Sequence, residues 1–142
     1  MKVLDLNLLL YAVNRDSPRH ADAKAWLEET LSGDERIGLP WAVILGFIRL
    51  ATNARVVTNP VTTEQAVAVV DSWLGLASAA PLDPGEDHWR ILRELLLDTG
   101  AAGNLTTDAH LAALAIEHGG ELCSTDADFA RFPRLKVVNP LG

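Results

Sequence analysis

Short apolar runs alternate along this chain with longer stretches in which apolar residues recur every three or four positions. The short runs are typical of buried strands, and the longer spacing indicates amphipathic helices. In Glu64–Leu76, for example, the apolar residues follow the i, i+3, i+4, i+7, i+8 pattern of one helix face. The predicted strands are Met1–Leu4, Arg36–Leu39, Ala79–Leu82, Glu121–Ser124 and Lys136–Val138, and the predicted helices are Leu6–Val13, His20–Leu31, Pro40–Ala51, Glu64–Leu76, His88–Thr99 and Leu105–His118.

The order of these elements predicts the fold class. Short strands separated by helices indicate an α/β domain with a mainly parallel five-stranded sheet. Right-handed connections between parallel strands would cover both faces of the sheet with helices, which makes three layers, α/β/α. The sequence has no internal repeat or low-complexity segment, so residues 1–142 are expected to form a single domain, with a loop between Gly100 and Gly103.

Composition and charge narrow the function classes. With 49% hydrophobic residues the chain is not a disordered linker, and its single cysteine excludes an internal disulfide and fits the reducing cytoplasm. No run approaches the roughly 20 apolar residues that a membrane span needs. The net charge of −7 argues against nucleic-acid binding by bulk positive charge. It leaves open a partner whose phosphates are met locally by a metal ion and a few arginines.

Acidic residues fall where a parallel sheet places its sites, at the carboxyl ends of strands. Asp5 directly follows the first predicted strand, and Asp126 and Asp128 follow the fourth. Asp108 lies in the first turn of a predicted helix, on the same face as apolar residues three, four, seven and eight positions later, which directs it toward the sheet. The alternatives are an acid favoured by the helix dipole for Asp108, a turn residue for Asp126 and a helix cap for Asp128.

Three separate segments thus bring carboxylates to one edge of the predicted sheet. No lysine or arginine in the sequence stands out as their shared counter-ion. A divalent cation is the simplest partner, and oxygen ligands without a thiolate cluster favour Mg²⁺ or Mn²⁺ over zinc. A carboxylate-held ion of this kind binds phosphate and activates water for in-line attack.

Other kinds of site find less support. The sequence has no glycine-rich phosphate loop, Cys123 lies inside a predicted strand as a small buried hydrophobe, and the histidines lack metal-site spacing. The tryptophans all fall in helical patterns and are expected in the core or in an oligomer interface rather than as base-stacking platforms. A phospho-receiver domain would need a lysine after the last strand, whereas Lys136 lies inside it.

Four motifs stand in order along the chain. They are Val3–Leu9, Leu39–Trp41 with Gly46–Asn53, Asn104–Ala115 and Ser124–Phe129. Together they resemble the motifs of PIN-domain ribonucleases of the VapC type, which are the toxins of bacterial toxin–antitoxin pairs. The resemblance runs essentially end to end.

The resemblance implies a PIN-like α/β/α domain and a Mg²⁺ site, at which Mn²⁺ can substitute. The metal would be held by the acids that match the family's, Asp5, Asp108 and Asp126, with Asp128 close by as a further catalytic acid. It implies selective cleavage of RNA, often tRNA or ribosomal RNA, by a metal-activated water. It also implies a cognate VapB-type antitoxin and a homodimer, for which the helices Glu64–Leu76 and His88–Thr99 are candidate interfaces or equally core.

Several residues around the acids are assigned weaker roles. Asn7 and Thr125 are expected to orient carboxylates or waters, and Arg49, ahead of Arg55 and Arg134, to contact RNA phosphates or the antitoxin.

One position departs from the family pattern. Many PIN domains carry a glutamate in the helix after the second strand, where this chain has Gly46. The alternative function is therefore a catalytically degenerate PIN-like module that binds RNA or an antitoxin without cleaving.

Overall fold

Parallel strands form one five-stranded sheet in the described part of the protein. The structure is a computed structural model that describes residues 1–100 and 103–142; the loop expected between Gly100 and Gly103 falls on Ala101 and Ala102, outside the described residues. The strands are β1 (Lys2–Leu4), β2 (Ile37–Pro40), β3 (Ala79–Leu82), β4 (Glu121–Cys123) and β5 (Val137–Val138). They lie in the order β3-β2-β1-β4-β5, and every neighbouring pair is parallel. The predicted α/β fold is confirmed.

Helices fill the connections between the strands. They are α1 (Leu6–Val13), α2 (His20–Ser32), α3 (Trp41–Ala51), α4 (Thr63–Leu74), α5 (His88–Thr99) and α6 (Thr106–Glu117). The connections through α1–α4 step from β1 to β3 in one direction across the sheet, and the connection through α5 and α6 returns to β4 on the far side of β1. Because such connections are right-handed, the reversal places α1–α4 on one face and α5 and α6 on the other.

Most predicted boundaries lie within a residue or two of the structural ones, and Pro40 shows why some differ. The sequence places Pro40 at the start of a helix, but it is the last residue of β2, opposite Leu82, and the N-cap of α3. The fixed φ of proline suits an extended residue that precedes a helix. A short 3₁₀ helix, Ala127–Arg131, was not predicted, because a single polar turn has no hydrophobic period.

The core lies against both faces of the central strands. Val3, Leu4 and Leu122 in β1 and β4 are fully buried. Helix α6 is buried along most of its length, from Ala109 to Ala115, and it packs on α5, to which it is tied by a 2.9 Å hydrogen bond between His88 Nε2 and His110 Nδ1. The first turn of α6, which carries Asp108, is therefore held rigidly against the sheet.

The tryptophans divide between the core and the surface. Trp73 is buried and meets Phe47 edge to face at 4.9 Å between ring centroids. Trp41 and Trp89 are 45% and 65% exposed, so of the two places expected for the tryptophans, the core and an oligomer interface, these two do not lie in the core. No described helix is long and apolar enough to cross a membrane.

Candidate metal centre at the sheet switch point

The sheet changes direction between β1 and β4, and the candidate site lies at that point. The chain leaves β1 toward β2 on one side and reaches β4 on the other, so the connections that leave the two strands diverge. In open parallel sheets a crevice forms at the carboxyl ends of two such strands. Asp5 follows β1 directly, and Asp126 follows β4 after two residues.

Asp5 is fixed at the floor of this crevice. It is 7% exposed and caps α1, because its Oδ1 accepts a 2.7 Å hydrogen bond from the Leu6 amide. Its Oδ2 accepts a second bond of 2.7 Å from Ser124 Oγ. Burial raises the pKa of Asp5, and these two hydrogen bonds offset part of that increase because they favour the charged form.

Ser124 connects two of the acids, and the sequence analysis did not single it out. Its side chain is almost fully buried, donates to Asp5 and accepts a 3.0 Å hydrogen bond from the Asp126 amide. Thr125, which the sequence predicts in this role, lies beside Ser124 and is partly exposed. The signal for Ser124 was available: it is a polar residue at the end of an apolar strand, and its hydroxyl must find a partner there.

Three further carboxylates converge above Asp5. One oxygen from each of Asp108, Asp126 and Asp128 lies within 4.8 Å of the others. The turn after β4 holds two of them in place, since the Asp128 amide donates a 2.9 Å bond to Asp126 Oδ1 at the start of the 3₁₀ helix. Helix α6 supplies the third acid from the other side of the crevice. The structure thus brings Asp108, Asp126 and Asp128 together, whereas Asp5 lies outside this group of three and shares a cavity lining with Asp108 and Asp126.

The electrostatics of this cluster are unfavourable for the acids alone. Burial is the main cause that raises the pKa of Asp108 to about 6. The negative charges of the other acids raise it further, and they belong to Asp126, Asp5 and Asp128. Like charges held at short distance disfavour ionisation, and a bound cation would relieve that repulsion.

A cavity of about 180 Å³ opens between the acids and α3. Asn7, which is expected to orient carboxylates or waters, is one of the residues that line this cavity. Its lining residues are Asp5, Leu6, Asn7, Ala42, Val43, Thr107, Asp108, Leu111 and Asp126.

Gly46 stands where many PIN domains carry a glutamate, and the side chain of Leu6 occupies the space next to it. A Cβ atom at Gly46 would lie 3.0 Å from Leu6 Cδ2, which is closer than ordinary van der Waals contact. Gly46 is buried, and Leu6 lines the cavity in front of it. The α3 side of the site is therefore hydrophobic, and a carboxylate there would require Leu6 to move.

The candidate arginines lie outside the cavity. Arg49 is exposed in the last turn of α3, and Arg55 is exposed in the loop that follows. Arg134 donates a 2.9 Å hydrogen bond to Glu94 on α5, so its guanidinium already has a carboxylate partner.

Comparison with known proteins identifies the family of the chain. Residues 2–135 match the family model of the PIN domain. Ribonuclease VapC33 of Mycobacterium tuberculosis is 45% identical over 141 residues, which cover 99% of each chain. VapBC-1 from nontypeable Haemophilus influenzae superposes with a TM-score of 0.70 at 16% identity, over 99% of this chain and 98% of that one.

A second solved structure shares the fold. VapC20 of Mycobacterium tuberculosis, described as a toxin that cleaves the sarcin–ricin loop, superposes with a TM-score of 0.68 at 18% identity over 92% of this chain and 93% of that one. Likeness at this level of identity speaks for the fold, whereas the full-length match to VapC33 speaks for the family. The chain belongs to the PIN-domain family, among the VapC ribonucleases.

Proposed function

We propose that residues 1–142 act as a single PIN domain, a Mg²⁺-dependent endoribonuclease that serves as the toxin of a type II toxin–antitoxin pair. The observation that carries the proposal is the convergence of Asp108, Asp126 and Asp128 above the buried Asp5. The relatives are named ribonucleases, which supports RNA cleavage as the reaction class, and the acids form the candidate site for that reaction.

The donor set fits a hard divalent cation. All the convergent groups are carboxylates, three of them offer an oxygen within 4.8 Å of the others, and their mutual repulsion calls for positive charge. Asp5, Asp108 and Asp126, which line one cavity, would hold Mg²⁺, or Mn²⁺ in its place, and Asp128 offers a further oxygen next to Asp108 and Asp126. When bound, such an ion polarises phosphate oxygens and lowers the pKa of a water for in-line attack.

The protein's own groups prepare the site for that chemistry. Ser124 and the Leu6 amide hold the Asp5 carboxylate in one orientation, and the Asp128 amide does the same for Asp126. Asn7 lines the cavity and Thr125 stands beside Asp126, where their polar groups can orient waters. Cleavage by water needs no RNA 2′-hydroxyl, so the products would carry 5′-phosphate and 3′-hydroxyl ends.

The substrate and partners follow from the same family. One structural neighbour is described as a toxin that cleaves the sarcin–ricin loop, which supports structured cellular RNA, ribosomal RNA or tRNA, as the substrate class, met in the cytoplasm. Other neighbours are VapBC complexes, which supports a VapB-type antitoxin as the partner. A homodimer would bury exposed apolar side chains such as Trp89 and Leu97 on α5.

The test is cleavage of total RNA by purified, antitoxin-free protein with Mg²⁺ or Mn²⁺ and with EDTA. We expect discrete cuts that require the metal, carry 5′-phosphates and disappear in Asp108→Asn. A matched control is Asp98→Asn, which removes an exposed acid from α5. Cuts that persist in Asp108→Asn would contradict the assignment of the site.

A catalytically degenerate binding module is the second candidate. The observation that favours it is the apolar Leu6 in the space that a fourth acid would need next to Gly46. Folded wild-type protein that binds antitoxin and RNA but makes no cuts with metal present would support this candidate over the nuclease.

A further inference from the structure

One face of α3 carries a row of exposed side chains that runs away from the acid cavity. Trp41, Leu45 and Arg49 stand at i, i+4 and i+8, so they follow one another along the outer side of the helix. Trp41 is 45% exposed, Leu45 is 62% exposed, and Arg49 is also exposed. At 1.5 Å per residue, the row is about 12 Å long. We call these three residues the α3 row.

The α3 row begins at the residue that precedes the two residues of α3 in the cavity lining. The parallel register pairs Val3 with Gly38, and extending it by two residues sets Asp5 beside Pro40, the residue before Trp41. The next two residues of α3, Ala42 and Val43, line the cavity together with the acids. Trp41 therefore stands at the carboxyl edge of the sheet, next to the strand end that carries Asp5.

The charge of the protein limits how it can hold RNA. The net charge is −7, so broad electrostatic attraction to a phosphate backbone is not available. Contacts that do not depend on positive charge must then supply much of the affinity. Stacking of a nucleobase on an aromatic side chain is such a contact, and it tolerates any sequence because every base has a flat face.

We propose that Trp41 is a stacking platform for an unpaired nucleobase next to the scissile phosphate, and that Arg49 contacts a phosphate farther along the same strand. This inference rests on the proposed nuclease function and deepens it. It assigns the α3 row to single-stranded RNA, which arrives at the acids with one base held flat against the indole. The enzyme would thus select loops and other unpaired segments over continuous duplex.

The test measures RNA binding without cleavage. An Asp108→Asn background with Mg²⁺ prevents turnover, and fluorescence anisotropy gives the dissociation constant of a labelled ten-nucleotide oligoadenylate. A ten-nucleotide abasic oligoribonucleotide serves as the probe without bases. Base stacking contributes roughly 5- to 150-fold in affinity per base. We expect Trp41→Ala to weaken oligoadenylate binding about tenfold and to leave abasic binding unchanged.

Two variants serve as matched controls. Val56→Ala removes an apolar side chain of similar exposure, 47%, from the loop after α3, and should leave both affinities unchanged. Trp41→Phe keeps a flat ring and should retain most of the affinity, which separates stacking from general disturbance of α3.

The dependence on salt separates the two members of the α3 row. A single phosphate contact to a single strand contributes a slope of about −0.7 to a plot of log affinity against log salt. Arg49→Ala should remove about that much from the slope. Trp41→Ala should lower the affinity and leave the slope unchanged, which a loss of folding would not do.

Three outcomes would overturn the proposal. The first is equal affinity for oligoadenylate of the Asp108→Asn protein with and without Trp41→Ala, and the second is an equal loss for the abasic probe. The third is a change in molar mass by light scattering in Trp41→Ala, which would assign the face to a second copy of the chain. Failure of the proposed function is a different result, since it appears as wild-type protein that makes no metal-dependent cuts. If the wild-type enzyme is active and Trp41→Ala leaves the affinity for oligoadenylate unchanged, only the role of Trp41 as a stacking platform is overturned.

Discussion

The two ends of the β1–β4 strand pair carry opposite kinds of charge cluster. At the amino end, Lys2 Nζ donates to Glu121 and lies 3.3 Å from Glu35, and Lys136 Nζ lies 3.1 Å from the second oxygen of Glu121. Hydrogen bonds from the two lysines lower the pKa of Glu121, and the bond to Glu121 raises the pKa of Lys2. At the carboxyl end acids meet one another, and the pKa values of Asp5 and Asp108 are raised instead.

The difference shows which cluster serves the fold and which serves chemistry. Alternating charges at the amino end satisfy one another, so they stabilise the protein without further help. The acids at the carboxyl end repel one another, and a bound cation would relieve this repulsion. Such a cluster is not explained by structural stability alone and is typical of a functional site. Only a strand of about 10 Å separates the two clusters, so the same sheet positions both.

The largest contrast should appear in catalysis. Asp126→Asn is expected to lower RNA cleavage by at least about 100-fold, because loss of a metal ligand should cost no less than loss of a group that merely supports one. Glu121→Gln, at the other end of the same strand, should leave the cleavage rate within about twofold. Initial rates on one RNA target compare them, and a similar loss in both variants would erase the functional distinction between the clusters.

Ser124→Ala tests whether the acids need support from the fold. The variant loses the donor to Asp5 and the acceptor for the Asp126 amide, so cleavage should fall by about 10- to 100-fold. Ser32→Ala, which removes a hydroxyl bonded to a carbonyl within α2, is the matched control. Full activity in Ser124→Ala would mean that the acids hold their geometry without it.

Binding of the metal should stabilise the protein through the carboxyl end only. Mg²⁺ at ten times its dissociation constant would add about 1.4 kcal/mol to the free energy of unfolding. Chemical denaturation with Mg²⁺, against NaCl of equal ionic strength, measures this gain. Asp108→Asn should lose most of it and Glu121→Gln should keep it, whereas an equal gain in all three proteins would place the ion elsewhere.

The smallest effects are opposite changes in stability without metal. Glu121→Gln should lower the free energy of unfolding by about 1 kcal/mol, because Lys2 loses a charged partner. Asp108→Asn should raise it at pH 7.5, because one repelling charge is removed. Urea denaturation in EDTA measures both, and the same sign in both variants would contradict the comparison.

The dependence on pH carries the same opposition. The pKa of Glu121 is lowered in the folded protein. Its contribution to the free energy of unfolding is therefore present above about pH 4.3 and is lost as the pH falls through the lowered value. The pKa of Asp108 is raised to about 6. Its contribution to the free energy of unfolding is therefore present below about pH 4 and is lost as the pH rises through 6. The advantage of Asp108→Asn over wild type should therefore grow between about pH 4 and pH 7.

The sequence predicts the fold well where one physical signal dominates. Helical periodicity locates α4 to within two residues at its end, although the capping box moves its start to Thr63. β3 ends at Leu82, as predicted, before the polar and glycine residues Asp83–Gly85, and α6 ends at Glu117, one residue before its predicted end and two before Gly119. The spatial order of the strands could not be predicted in this way, because strand pairing depends on contacts between distant segments that no local pattern records.

The candidate site divides in the same way. Asp108 is predictable, because apolar neighbours on its face direct it inward. Ser124 was missed because its importance lies in a hydrogen bond to Asp5, 119 positions away in sequence. For Trp41 the sequence left the core and an oligomer interface as alternatives, since a tryptophan in a helical pattern carries no mark of whether its own chain covers it.

The contact between Leu6 and Gly46 also has an evolutionary consequence. A glutamate at position 46 would collide with Leu6 unless that side chain moves, so the two positions constrain each other. Because the contact is with the flexible end of a leucine, a shift of a few tenths of an ångström would relieve it, and residue 6 therefore sets how readily a fourth acid is accommodated. A Leu6→Ala replacement would open the space for Gly46→Glu without that adjustment.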